Sequence, residues 1–141
     1  MSESDQCEMS QQFADLVFFA LDHGVESVRD SGGPLIPFLV LEQDGKRDLH
    51  RFAASRLEEG ERQAREAIMA SPAAVTAYAL AYDGFITVQG VRTDAILVEA
   101  SERGRPAGVR MAQRYTPKKF LRRFQTVGNP AFVEAPQTLL R

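Results

Sequence analysis

The chain has 141 residues, of which 44% are hydrophobic and 26% are charged, and its formal net charge is −2. This length and apolar content fit one domain with a real core, and they exclude a chain that is disordered throughout. The near-neutral total also argues against a uniformly basic nucleic-acid binder. The single cysteine, Cys7, excludes an internal disulfide. No apolar run approaches the roughly 20 residues that span a bilayer, so we expect a cytoplasmic protein.

The amino-terminal region predicts a leader followed by a helix. Residues 1–10 are polar and acidic, and we expect them to be flexible. Apolar residues then recur at steps of three and four from Phe13 to Val28, which is typical of one buried helix face. The sequence Ser31-Gly32-Gly33-Pro34 ends this helix, since glycine supplies a left-handed cap and proline cannot continue.

A β-hairpin and a second helix are predicted next. Two strand-like runs flank Asp44-Gly45, a pair that favours a tight hairpin turn. The first run is apolar on both faces, which indicates an interior strand. Ser55 is placed to cap a second helix, and Ser71-Pro72 ends it.

Three more strands are predicted after the second helix. Side chains alternate regularly from Ala74 to Tyr82, and the same signal returns over 93–100 and 109–116. Asp83-Gly84 predicts a turn after the first of these runs.

The order of elements is therefore α-β-β-α-β-β-β, followed by a carboxyl-terminal segment. Short connections between successive strands predict an antiparallel sheet of about five strands with both helices on one face, a two-layer α+β domain over residues 11–116. Residues 117–141 form a basic and aromatic segment that we expect to be docked or partly flexible.

Two resemblances follow from these features. The element order resembles the profilin-like group, which includes the roadblock and longin domains; it implies a five-stranded sheet and an adaptor or dimerising role. The sequence Ala77-Tyr78-Ala79-Leu80-Ala81-Tyr82-Asp83-Gly84, with the runs over 92–100 and 102–104, is similar to small uncharacterised bacterial proteins. That similarity implies a bacterial source and no particular activity.

Catalytic and cofactor motifs are absent from the sequence. His23 and His50 have no further histidine or cysteine at a metal-ligand spacing, so we expect neither a metal nor a cofactor. There is no Gly-x-Ser-x-Gly and no phosphate-binding loop. Asp94 and Glu99 point to opposite faces of one strand and cannot form an acid–base pair. These features favour a protein that is not an enzyme.

One small-molecule pocket is nevertheless a candidate. Tyr82, Asp83 and Asp94 could approach one another across the predicted turn. In the simpler interpretation Asp83 is a turn residue and Asp94 pairs with Arg92 or Arg110.

The charges divide sharply along the chain. Residues 103–141 hold nine basic residues and one acidic residue, a formal charge of +8, whereas residues 1–102 carry −10. Tyr115, Phe120 and Phe124 lie among the basic residues, a pattern that suits RNA, DNA or an anionic membrane. The alternative is that the aromatic side chains pack on the core and the cations pair with acidic helices, namely the first helix and the region 58–66, in the same chain or in a neighbouring copy. The candidate anion-binding residues are Arg110, Arg114, Lys118, Lys119, Arg122 and Arg123.

The sheet face opposite the helices is the last candidate. If both helices cover one face, Tyr78, Leu80 and Tyr82 face solvent or a partner, and an apolar patch of this kind marks an interface. Our leading hypothesis is a non-enzymatic interaction module that forms a homodimer through this face or through an edge strand. The alternatives are RNA or DNA binding by the basic segment, and an enzyme or sensor with the pocket at Tyr82, Asp83 and Asp94.

Overall fold

A computed structural model describes residues 10–119 and 121–141 of the chain. The predictions for the leader and for Cys7 concern residues 1–9 and lie outside the described residues. The helices and strands, in chain order, are α1 (Gln11–Ser31), β1 (Phe38–Gln43), β2 (Lys46–Arg51), α2 (Leu57–Met69), β3 (Val75–Val88), β4 (Val91–Glu102), β5 (Val109–Thr116) and β6 (Gln125–Glu134).

The six strands form one antiparallel sheet in the order β2-β1-β3-β4-β5-β6. This confirms the α+β class and the antiparallel sheet, but the strand count is six, not five. The added strand is β6, which pairs with β5 through Met111↔Phe132 and Tyr115↔Thr126. The carboxyl-terminal segment therefore contributes to the sheet.

Helix α1 forms as its sequence predicts. The Ser10 side chain accepts a hydrogen bond from the Phe13 backbone N–H, and Gly32 ends the helix at φ +86°. The Gly32 N–H donates to the Val28 carbonyl, which satisfies one of the last helical acceptors. The apolar stripe between these ends packs on the alanines of β3 and on Ile96 and Val98 of β4.

The two helices lie on opposite faces of the sheet, so the expectation of both on one face is wrong. On β3, the alanines at 77, 79 and 81 join the α1 core, whereas Tyr78, Leu80 and Tyr82 join Ala64 and Ile68 of α2. We call these two surfaces the α1 face and the α2 face. Helical periodicity shows which side of α2 is buried, but not which side of the sheet receives it.

Two local predictions also need correction. Strand β3 continues through Asp83-Gly84, and the chain reverses at Gln89-Gly90. Gly84 serves close packing, because a Cβ there would lie 2.7 Å from Leu97 Cδ1. The N-cap position of helix α2 is Arg56, and its side chain makes no capping hydrogen bond. Ser55 lies one residue earlier and is therefore not the cap that the sequence predicts. In the described part of the chain, no helix is both long and apolar enough to cross a membrane.

Candidate functional site

The segment between β5 and β6 is a tight reversal, and we call its described residues 117–119 and 121–123 the basic turn. The Lys119 N–H donates to the Arg122 carbonyl at 3.2 Å, and the Arg122 N–H donates to the Lys119 carbonyl at 2.8 Å. Leu121 occupies the left-handed region at φ +66° and is 91% exposed. Bulky residues rarely adopt this conformation, and it holds the leucine outward at the tip.

An aromatic contact anchors the base of the basic turn to the core. The Phe124 ring packs against the Tyr115 ring with centroids 5.4 Å apart, and the Arg29 guanidinium lies 5.4 Å above Phe124. Tyr115 is buried in the α1 core and Phe124 packs against it. These two rings are therefore not free to stack on bases, and Phe120 lies outside the described residues.

Four of the six candidate anion-binding residues are presented together by the basic turn. Lys118, Lys119, Arg122 and Arg123 are exposed. Within residues 10–119 and 121–141, none of these four side chains forms an ion pair. These four cations therefore do not pair with the acidic helices of their own chain, and pairing with those of a neighbouring copy stays a prediction.

The other two candidates have different surroundings. Arg114 is half-buried, with its guanidinium against Gly128 of β6. Arg110 is held by Glu99, with a nitrogen–oxygen distance of 3.3 Å, and by Glu134. Arg110 is thus occupied within the chain and does not join the basic turn.

An open cleft of about 420 Å³ lies beside the basic turn, and we call it the acidic cleft. Its carboxylates come from α2, β3 and β4. Apolar surface of Leu57 and Phe85 lies between them, and Pro117, the first residue of the basic turn, completes one wall. The four carboxylates are Glu58, Glu61, Asp83 and Asp94.

Burial and hydrogen bonds set the chemistry of this cleft. The Asp83 carboxylate accepts from the Leu35 backbone N–H at 2.7 Å and from the Tyr115 hydroxyl at 2.8 Å. Burial raises the pKa of Asp83 despite these donors, and burial together with Asp83 raises the pKa of Tyr115. Burial also raises the pKa of Glu61. In the part of the chain that the structure describes, Glu61 and Asp94 form no ion pair.

Only two members of the predicted pocket meet in the cleft. Asp83 and Asp94 line it, but Tyr82 lies on the α2 face, where its hydroxyl donates to Glu99 at 2.5 Å. Successive residues of a strand point to opposite faces, so Tyr82 and Asp83 diverge once the predicted turn between them is absent. The simpler interpretation of Asp94 is also wrong, because Arg110 pairs with Glu99 and Arg92 lies over the Phe85 ring.

A buried ion cluster on the α2 face went unpredicted. Glu99 is 4% exposed and receives Arg65 at 2.7 and 3.2 Å, the Tyr82 hydroxyl, and Arg110. The arginines and the tyrosine lower the Glu99 pKa against the effect of burial, which alone raises it. The signal in the sequence is one carboxylate within the apolar run of β4, since a buried charge requires partners.

The predicted exposed interface is covered within the chain. Tyr78, Leu80 and Tyr82 are buried beneath α2 and the carboxyl-terminal residues Leu139 and Leu140. The Leu139 N–H donates to the Tyr78 hydroxyl at 3.2 Å. The prediction of an exposed face assumed both helices on the other side of the sheet. Because α2 packs on this side, the three side chains are buried.

The described residues contain no group of three or more His, Cys, Asp or Glu side chains that are placed to hold a metal ion. His23 instead contacts the Phe38 ring edge-on, with centroids 4.9 Å apart. No protein-family model matches this chain, nor does any curated protein or solved structure. The profilin-like and bacterial resemblances stay predictions.

Proposed function

We propose that this protein is a non-enzymatic interaction module that docks an anionic surface of a partner through the basic turn. One observation carries the proposal. Lys118, Lys119, Arg122 and Arg123 lie within six residues of chain, all exposed and all without an ion pair among the described residues.

The acidic helices do not neutralise this group because many of their carboxylates already have partners. On α2, Arg62 pairs with both Glu59 and Glu66. On α1, Arg29 pairs with Glu26. Four like charges held this close repel one another, and an anionic partner removes that repulsion on contact.

The other functions receive less support from the same geometry. An enzyme or sensor at the predicted pocket loses Tyr82, and Asp83 is already bound by Leu35 and Tyr115. The cations could still bind RNA or DNA, but Tyr115 is buried and Phe124 packs against the core beside it, so neither ring is placed to stack on a base. We therefore favour an anionic protein surface over a single-stranded nucleic acid.

The test compares two pairs of charge reversals on immobilised heparin, a general polyanion. Lys119→Glu/Arg122→Glu alters the basic turn, and Lys46→Glu/Arg51→Glu changes the exposed β2 edge by the same net charge. Counterion release makes such binding fall steeply with salt. We expect the wild type and the β2 variant to bind at low salt, and the turn variant to pass through.

If the turn variant and the β2 variant lose heparin retention equally, binding depends on overall charge and the proposal is contradicted. A wild type that is loaded at a concentration where it is monomeric and is still not retained at low salt would contradict it as well. Far-ultraviolet circular dichroism of each variant shows that the fold is intact before retention is compared.

A further inference from the structure

We infer that the anionic partner of the basic turn is the acidic cleft of a second copy of this chain, in a reciprocal dimer. This inference rests on the proposed function and names its partner. It goes beyond the predicted homodimer because it replaces the buried Tyr78, Leu80 and Tyr82 face by a different contact.

Charge complementarity is the first argument. The basic turn presents four cations, and the acidic cleft presents the carboxylates of Glu58, Glu61 and Asp94 beside Asp83. Glu61 and Asp94 form no ion pair among the described residues, just as the cations of the turn form none. The basic turn and the acidic cleft therefore carry unpaired charges of opposite sign on the surface of one chain.

Apolar complementarity is the second argument. Leu121 is the most exposed of the large hydrophobic side chains described, and in sequence it lies between the two pairs of cations. The cleft has the inverse pattern, with apolar surface of Leu57 and a 53% exposed Phe85 among its carboxylates. An apolar centre inside a charged rim is the usual anatomy of a protein interface.

The position of the two surfaces is the third argument, and it determines the symmetry. Pro117 lines the acidic cleft and Lys118 follows it directly, so the donor and acceptor surfaces are neighbours on one chain. A two-fold axis beside these neighbouring surfaces places each basic turn in the cleft of the other copy, so that the contact is made twice. The association therefore closes at a dimer instead of extending into a filament.

The sheet edges offer a poorer route to self-association. On β6, Phe132 and Val133 are exposed, but the strand contains Pro130 and its pairing with β5 is interrupted by two register shifts. Strand β2, Lys46–Arg51, is largely exposed and rich in charge. Proline, bulges and charge are the devices that keep edge strands from pairing.

A charge-reversal complementation experiment tests the inference. A fourfold turn variant carries glutamate at Lys118, Lys119, Arg122 and Arg123, in contrast to the double variant used on heparin. The cleft variant is Glu58→Lys/Glu61→Lys/Asp94→Lys. In a homodimer of the fourfold turn variant, the glutamate turn would meet the native acidic cleft. In a homodimer of the cleft variant, the native basic turn would meet the lysine cleft, so like charges repel in both cases. In an equimolar mixture, the glutamate turn meets the lysine cleft and the native turn meets the native cleft, so both contacts become attractive.

Sedimentation equilibrium measures the outcome. We expect the wild type to form dimers whose dissociation constant rises by about tenfold or more between about 0.05 M and about 0.5 M NaCl, because salt screens exposed charge pairs. Each variant alone should be monomeric, and the mixture should recover the dimer mass. Recovery in the mixture also shows that both variants are folded.

Three results would overturn the inference. The wild type could remain a monomer at every soluble concentration, both variants could dimerise as the wild type does, or the mixture could stay monomeric while the wild type dimerises. If the wild type is a monomer but heparin, RNA or anionic vesicles still bind through the basic turn, the inference fails and the proposed function stands. If turn-dependent heparin binding is also absent, both fail.

Discussion

Replacing Glu99 by glutamine tests how the buried ion cluster joins α2 and β5 to β4. Glu99→Gln keeps the shape of the side chain and removes its charge. The amide oxygen can still accept hydrogen bonds, but the new NH₂ group cannot, and it faces the guanidinium of Arg65, which donates at 2.7 and 3.2 Å in the native protein. Arg110 also loses its partner at 3.3 Å.

The expected loss of unfolding free energy depends on the solvent exposure of each group in the cluster. Removing one partner of a fully buried ion pair costs about 3–5 kcal/mol. Glu99 is fully enclosed, but the side chains of Arg65 and Arg110 are 32% and 25% exposed, so water recovers part of the loss. We expect Glu99→Gln to lower the free energy of unfolding by about 2–3 kcal/mol at neutral pH.

Urea denaturation followed by circular dichroism measures this change. With a slope of about 1–3 kcal/mol per molar urea, the midpoint should fall by roughly 0.7–3 M. Glu59→Gln is the matched control, because Glu59 pairs with Arg62 on the surface of α2 and its loss should leave the midpoint unchanged. Equal midpoints for Glu99→Gln and the wild type would refute the claim that the cluster stabilises the fold.

The same variant predicts a pH dependence. The Glu99 pKa is lower in the folded protein than its ordinary value of 4.5, so the folded state favours the charged form. Its contribution is fully present above the unfolded pKa and is lost as pH falls through the folded pKa. The stability difference between the wild type and Glu99→Gln should therefore narrow on acidification below pH 4.5. A constant difference would contradict this assignment.

Substitutions at three further positions test other parts of the account. Gly60→Ala should destabilise by about 1–3 kcal/mol although alanine is the better helix former, because its Cβ would lie 2.4 Å from the Phe52 carbonyl oxygen; a rise in melting temperature would contradict this packing. Asp83→Ala should cost about 1–3 kcal/mol in urea denaturation by leaving the Tyr115 hydroxyl without its acceptor, whereas Asp83→Asn should cost less because burial already raises the Asp83 pKa; equal losses would be inconsistent with that. Leu121→Asn should raise stability by about 1 kcal/mol or less, because asparagine tolerates the left-handed conformation, and should weaken the dimer; tighter association would count against the apolar contact.

Much of the fold was predictable because its signals are local. The stripe from Phe13 to Val28, the Gly32 cap and the Asp44-Gly45 turn each depend on neighbours in sequence, and the structure confirms all three. Asp83-Gly84 has the local signature of a turn, yet the Asp83 side chain is bound by groups distant in sequence. Long-range contacts override the local preference there.

Strand β6 was missed for a related reason. Its centre, Gly128-Asn129-Pro130, has low strand propensity, and the strand is held by long-range pairing with β5. Likewise, the sequence locates the run of cations but not their partners. Arg110 is occupied by Glu99 and Glu134, which are 11 and 24 residues away, so its exclusion from the basic turn needed the structure.

Amide chemical shifts of the ¹⁵N-labelled protein across a dilution series test the central claim most directly. If the basic turn docks in the acidic cleft of a second copy, concentration-dependent shifts should appear at residues 117–123 and around Glu58, Glu61 and Asp94, and they should vanish in high salt. Shifts confined to the β6 edge around Phe132, or no shifts at any concentration, would contradict the account.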